Sequence, residues 1–185
     1  MLIMKNFARY RICLLTVVSS MLLLAGCKGP ETVSYVDVER YMGQWYQIAA
    51  YETSFNEGLV GVTADYSLKE DGTVNVYNRG YQGSLQGPVD DITGTATVVD
   101  ETTNARLKVE FPGVPNFPWP NYLIVVLDAE NYQYAVVTDP LQYTLFVLSR
   151  TPSLEESTYN DILQQLEAKG INTDKLLLTE QPIFQ

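Results

Sequence analysis

Apolar and polar residues alternate in short runs along most of this chain, a period of two that marks strands half-buried against a core. From Leu59 to Lys69, the residues Val60, Val62, Ala64, Tyr66 and Leu68 share one face. Glu70-Asp71-Gly72 then supplies a turn, and Thr73 to Tyr81 returns as the second arm of a hairpin. The same pattern predicts strands over Gly43 to Glu52, Ile92 to Val99, Ala105 to Phe111, Tyr122 to Asp128, Tyr132 to Thr138 and Thr144 to Arg150, with turns at 100–104, 129–131 and 139–142. Eight consecutive strands with short links make an all-β, antiparallel up-and-down meander. Closing it into a barrel removes the unpaired edges, and eight strands leave room inside for one small ligand.

Past Ser153 the period changes. Leu154, Ile162, Leu163 and Leu166 recur at helical spacing as far as Lys169, Ser153 and Glu156 have the spacing of a capping box, and Gly170 ends the run. This predicts one C-terminal α-helix packed outside the barrel, followed by a short strand from Leu176 to Leu178. Two segments fit neither period. Thr53 to Gly58 is polar, and Pro112 to Pro120 holds four prolines with Phe117 and Trp119, a composition that excludes a central strand. Both are expected at the barrel mouth, where a stiff aromatic loop suits ligand contact, membrane contact or a plain connector.

The N-terminus has its own logic. Lys5, Arg9 and Arg11 precede an apolar run from Ile12 to Leu24, about 13 residues, whereas a helix crossing a bilayer core needs about 20. The run therefore reads as a signal peptide over 1–26. It ends in Leu24-Ala25-Gly26-Cys27, which resembles the lipobox of bacterial lipoproteins and implies that Cys27 becomes lipidated and N-terminal, the membrane anchor. Lys28 at the next position implies, by that resemblance, sorting to the outer membrane, with the domain on its periplasmic face. Residues 27–36 are expected to be the lipidated cysteine and a flexible tether, and 37–185 a single domain. With Cys13 in the signal and Cys27 acylated, no disulfide remains, and a domain of roughly 150 residues buries enough surface to do without one.

Charge narrows the partners. All 22 acidic residues follow Cys27 while three of the 12 basic ones precede it, leaving the mature part at about −13. Nucleic acid is excluded, since phosphate binding needs clustered cations. The charge keeps the domain soluble and would repel anionic lipid head groups. The sequence leaves a homodimer open.

Three motifs occur in order. Gly43-Gln44-Trp45 opens the first strand, Thr138-Asp139-Pro140 lies in the turn between the last two, and Arg150 ends the eighth strand just before the helix. Closing a barrel leaves one end to plug; a first-strand tryptophan can fill it, and an arginine on the adjacent last strand can stack on that ring. These residues are structural. With them the chain, from Asp37 to Pro182, resembles the lipocalin family, in particular bacterial lipocalins bearing a lipobox and their animal relatives of the apolipoprotein D type. The resemblance implies binding, storage or transport of a fatty acid, lysophospholipid or similar amphiphile in the bacterial envelope. Animal relatives of that type carry disulfides, which this chain lacks.

Trp45 is expected inside, so alternation turns Gln47, Ala49 and Tyr51 inward. The family's usual pocket positions add Tyr66, Val76, Asn78, Leu123, Val125 and Phe146. Arg79 falls out of phase and is expected to be exposed. Gln47 and Asn78 would be amides in an apolar cavity, orienting a head group, holding water or satisfied by neighbouring protein atoms. With no histidine in the chain, hydrolase triads lose their usual base, so no enzyme is expected. No cofactor is expected either, nor a metal, because adjacent acids such as Asp90-Asp91 and Asp100-Glu101 are ordinarily solvated. The alternative to a carrier is an adaptor barrel, filled and dry, that docks on an envelope protein.

Overall fold

In the computed structural model, which describes residues 29–116 and 118–182, the alternating runs become antiparallel strands. They are β1 (Gly43–Tyr51), β2 (Leu59–Leu68), β3 (Val74–Gln82), β4 (Val89–Val98), β5 (Arg106–Glu110), β6 (Tyr122–Leu127), β7 (Tyr134–Thr138) and β8 (Leu145–Ser149). Each pairs with the next, and β1 pairs with both β2 and β8, placing Trp45 opposite Ala64 and Tyr46 opposite Ser149. The meander is thus a closed eight-stranded barrel. Helix α2 (Glu156–Ala168) lies outside it, and β9 (Leu176–Leu178) adds to β1 beyond the point where β2 leaves it, with Ala49 opposite Leu178.

A four-residue helix, α1 (Val38–Tyr41), too short to show a period in sequence, crosses the lower end. The Asp37 carboxylate caps it by accepting from the Arg40 amide. Above α1, Trp45 has no exposed surface, and its Nε1 donates to the Tyr41 carbonyl at 2.9 Å. The Arg150 guanidinium covers the ring, its Cζ 3.7 Å from the centroid. It also donates to the carbonyls of Arg40 at 2.8 Å, Gln44 at 2.9 Å and Tyr132 at 3.3 Å. Burial lowers its pKa, but a guanidinium starts so high that it keeps its charge. Gly43 sits at φ +92°, where a Cβ would also meet Arg150 Nη1 at 3.4 Å, so the first motif's glycine serves both backbone and plug.

At the opposite end, the Asp139 carboxylate accepts from Leu141 N at 2.8 Å, Thr144 N at 2.7 Å and Thr144 Oγ1 at 2.9 Å, while Thr138 Oγ1 donates to the Thr144 carbonyl. The second motif therefore pins the β7–β8 turn at the mouth.

Outside the barrel, Ile162 and Leu166 of α2 are buried in a second core with Ala49, Tyr51, Leu123, Val125 and Val147. The helix ends on Gly170 at φ +71°, whose amide donates to Glu167 while that of Ile171 donates to Leu166, and Ile171 is buried beside them. Its start departs from the capping box: Glu155 is the N-cap and makes no side-chain cap. Leu154 packs against the outer core, keeping the chain extended past Ser153.

The tether also departs from expectation. Pro30 is buried, Val33 N donates to Ile124 at 2.9 Å, Val36 N donates to Thr103 at 2.8 Å, and Val36 is 1% exposed. From Gly29 onward the chain is docked along the barrel. The signal segment and Cys27 lie outside the described residues.

Removing the plug should be costly. Trp45→Ala is expected to lower stability by roughly 3–5 kcal/mol, as for other buried aromatics, and Arg150→Ala by about 1–3 kcal/mol through lost stacking and charged hydrogen bonds. Chemical denaturation measures both, and an unchanged midpoint for Trp45→Ala would remove it from the core.

Candidate ligand cavity

The upper half of the barrel is hollow. A cavity of about 260 Å³ is walled by apolar side chains, among them Val62, Val76, Val109, Phe146 and Leu148, with Tyr66 and Tyr122 also on its wall. Phe55 and Asn56 from the β1–β2 loop reach it at the mouth, where the Phe55 ring meets Phe146 at 6.3 Å.

Five of the expected residues lie on this wall: Gln47, Tyr66, Val76, Asn78 and Phe146. Ala49, Tyr51, Leu123 and Val125 do not; all four belong to the outer core beneath α2. In β1 the cause is a bulge. Gln47 faces Leu148, but Ala49 faces Val147 and Ala50 faces Phe146, so one extra residue inverts the phase. Ala50 takes the inner phase, and Tyr51 turns out to donate to the Asn172 carbonyl. In β6, Tyr122 and Ile124 pack inward, so Leu123 points to the helix, and a bulge follows between Ile124 and Val126. Residues 123–126 are all buried, so their sequence has no alternation from which to read the phase.

Arg79, expected to be exposed, is half-buried beside the wall. Its Nη2 donates to the Tyr81 hydroxyl at 2.7 Å, and Nε is shut off from solvent without a partner. Sequence reasoning also passed over Val62 and Tyr122. Val62 is in phase with Tyr66 in the hairpin pattern, a usable signal; Tyr122 opens a continuous apolar run and offered none.

Most polar groups on the wall are spoken for. Asn121 pairs both ends of its amide with the Val109 backbone at 2.7 and 2.8 Å, Gln47 donates to Thr179 Oγ1 at 2.8 Å, and Asn56 donates to the Tyr51 carbonyl. The exceptions are Asn78, with its amide oxygen buried and unpaired, and the Nε of Arg79. At the inner end, the Tyr122 hydroxyl lies 2.9 Å from that of Tyr41 and 3.1 Å from that of Tyr66. Two contacts among three hydroxyls leave one O–H proton over, free to meet a ligand or a water. Burial pushes the Tyr66 pKa up to about 12 and raises those of Tyr41 and Tyr122 well above the usual phenol value, so all three remain neutral. The inner end of the cavity is therefore polar at one point.

The C-terminal segment completes the wall. Above the pair Tyr46–Thr63, β1 and β2 part at Gly61, which bulges at φ +59°. Gly61 N donates to the Glu180 carbonyl at 2.7 Å, and the Gln181 amide donates to the carbonyls of Gln47 and Val62 at 2.8 Å each. Among the described residues, no group of three acidic, histidine or cysteine side chains is placed to hold a metal.

A closed meander barrel, plugged by a stacked tryptophan and hollow beneath its other end, defines a binding protein for small hydrophobic molecules. The chain belongs to the lipocalin-like domain family, which it matches over residues 36–181, a family of ligand-binding barrels rather than enzymes. It is 37% identical over 163 residues to the outer membrane lipoprotein Blc of Vibrio cholerae, covering 86% of this chain and 93% of that protein. Against the outer membrane lipoprotein Blc of Escherichia coli K12 it is 34% identical over 175 residues, covering 91% and 96%. The crystal structure of insecticyanin from the tobacco hornworm Manduca sexta shares the fold, with a TM-score of 0.67 at 17% identity over 84% of this chain and 86% of that one.

The tyrosine cluster sets an alkaline limit. These side chains stay neutral in the fold where the unfolded chain begins to ionise near pH 10, so their contribution is complete below pH 10 and falls away above it, for Tyr66 as pH rises toward 12. For Tyr66 the two-unit rise corresponds to about 3 kcal/mol. An ultraviolet titration should show these three tyrosines ionising only with unfolding, and ordinary ionisation near pH 10 in the folded protein would contradict the cluster.

Proposed function

We propose that the barrel stores or transports a single-chain amphiphile of the fatty acid or lysophospholipid type, with its acyl tail along the apolar wall and its polar head at the mouth. The cavity itself carries this reading: it ends against the tyrosine cluster above the plug, is open at the other end, and is lined by Val62, Val76, Val109, Phe146 and Leu148. Asn78, with its unpaired amide oxygen, is the wall group positioned to receive a donor from the ligand. Gln47, Tyr66, Val76, Asn78 and Phe146 are the contacts that follow.

The setting we propose is the outer membrane, facing the periplasm, through a signal peptide over 1–26 and a lipid on Cys27. The Leu24-Ala25-Gly26-Cys27 sequence supports it, as does the name outer membrane lipoprotein borne by the bacterial relatives.

Each methylene taken from water is worth about 0.8 kcal/mol. Affinity should therefore rise roughly fourfold per methylene along a series of saturated fatty acids and lysophospholipids until the tail meets Tyr66 and Tyr122. Val76→Trp should shorten the preferred chain. Leu123→Trp, which overpacks the outer core, should cost stability, roughly 1–3 kcal/mol, and leave the chain-length preference alone. Affinity independent of chain length would end the tail-in reading and favour a dry adaptor barrel.

The anchor is tested separately. Cys27→Ser should move the protein from the outer-membrane fraction, and retention there would remove the lipid.

A further inference from the structure

The N-terminus of the described chain and the cavity mouth lie at the same end of the barrel. A Cβ built on Gly29 would stand 3.0 Å from Pro140, in the β7–β8 turn that Asp139 pins at the mouth. From there, 29–36 runs down the barrel wall to the plug, held by the backbone bonds of Val33 and Val36. Cys27 stands two residues before Gly29 in the sequence. Because 29–36 is docked, it cannot act as slack. A lipid on Cys27 would hold the mouth, not the plugged end, against the membrane.

The mouth is built for such a position. Its loops expose Phe55 at 62%, Val114 at 50%, Trp119 at 50%, Leu141 at 61% and Tyr143 at 74%. Single exposed apolar side chains are ordinary, but five on three loops around one opening form a rim. Tryptophan and tyrosine are also the residues suited to a membrane interface, with an apolar body and a polar edge. No described helix is long and apolar enough to cross a membrane, so insertion would be by loops and shallow. Charge selects the lipid: the carboxylates of Glu52, Glu57, Asp90, Asp91 and Asp139 lie at this end against the cations Arg79 and Lys175, so an anionic surface would repel it and a zwitterionic one would not.

We propose that the rim formed by Phe55, Val114, Trp119, Leu141 and Tyr143 is a membrane-docking face, seated in the interface of a zwitterionic lipid surface so that the cavity opens onto the bilayer. This rests on the reading of Cys27 as the anchor. It gives an amphiphile a path between bilayer and barrel without crossing water.

The two tryptophans provide the test, since Trp119 is on the rim and Trp45 is buried in the plug. The full-length lipoprotein, purified from membranes, is reconstituted on phosphatidylcholine vesicles with brominated acyl chains, which quench only tryptophans close to the bilayer. The expected result is quenching of the Trp119 emission, abolished in Trp119→Phe, where Trp45 alone remains and stays bright. The double variant Leu141→Ser with Tyr143→Ser should melt normally and lose at least half of the quenching. Phosphatidylglycerol vesicles should also reduce it. Protein that fails to float with vesicles would remove the anchor and this proposal together, whereas floating without Trp119 quenching would overturn the orientation alone. A rim protected in native envelopes but unquenched on pure lipid would assign the face to a protein partner and overturn the proposal. None of these outcomes bears on the chain-length titration, which reads the cavity independently.

Discussion

A barrel of strands has two open ends, and this one works as a container because one of them is sealed by Trp45 beneath the Arg150 guanidinium, 3.7 Å away. The seal links distant parts of the chain. Arg150 follows the last barrel strand, Trp45 lies on the first, and the carbonyls that receive the guanidinium come from α1, β1 and the β6–β7 turn. Breaking it would expose the apolar inner core to water from below and loosen the β1–β8 closure. The indole and the guanidinium answer each other's needs: the ring buries apolar area, its N–H finds Tyr41, and the charge above it is hydrogen-bonded rather than stranded.

A second constraint follows from packing a helix outside a hollow wall. β1 and β6 must supply side chains to an inner cavity and to an outer core at once. A strand with strict alternation would do this symmetrically, but bulges after Gln47 and after Ile124 move residues from one face to the other. The result is an asymmetric wall, buried on both faces under α2 and lined by cavity on the side of β2 and β3. That arrangement gives the helix its anchor points, Ile162 and Leu166, while leaving the inside of the barrel hollow.

The mouth is where both chain ends matter. The C-terminal segment closes the gap between β1 and β2 through Gln181, and the N-terminal segment passes Pro140 before descending the wall. Rim, cavity and the first described residues of the chain therefore share one end, while the plug sits at the other. A binding protein for small hydrophobic molecules gains from this division, because the end open to ligand is not the end sealed by the plug.

By itself the sequence determined the strand count, the order of the elements, the external helix and the plug residues. Each rests on a local signal: period-two alternation in the Leu59 to Tyr81 hairpin, a shift to helical spacing past Ser153, and motif residues whose roles follow from closing a barrel. It also carried part of the wall, since Tyr66, Val76 and Asn78 lie on strands with clean alternation. The tertiary structure alone decided where alternation fails. The bulge that turned Ala49 and Tyr51 outward, and the doubly buried run that hid the phase of Leu123 and Val125, depend on packing against α2, a contact about 120 residues away from β1 that no local period records. The docking of 29–36 along β6 and the gathering of the apolar rim are of the same kind. They arise from side chains meeting across the fold, and the pattern of any one segment does not contain them.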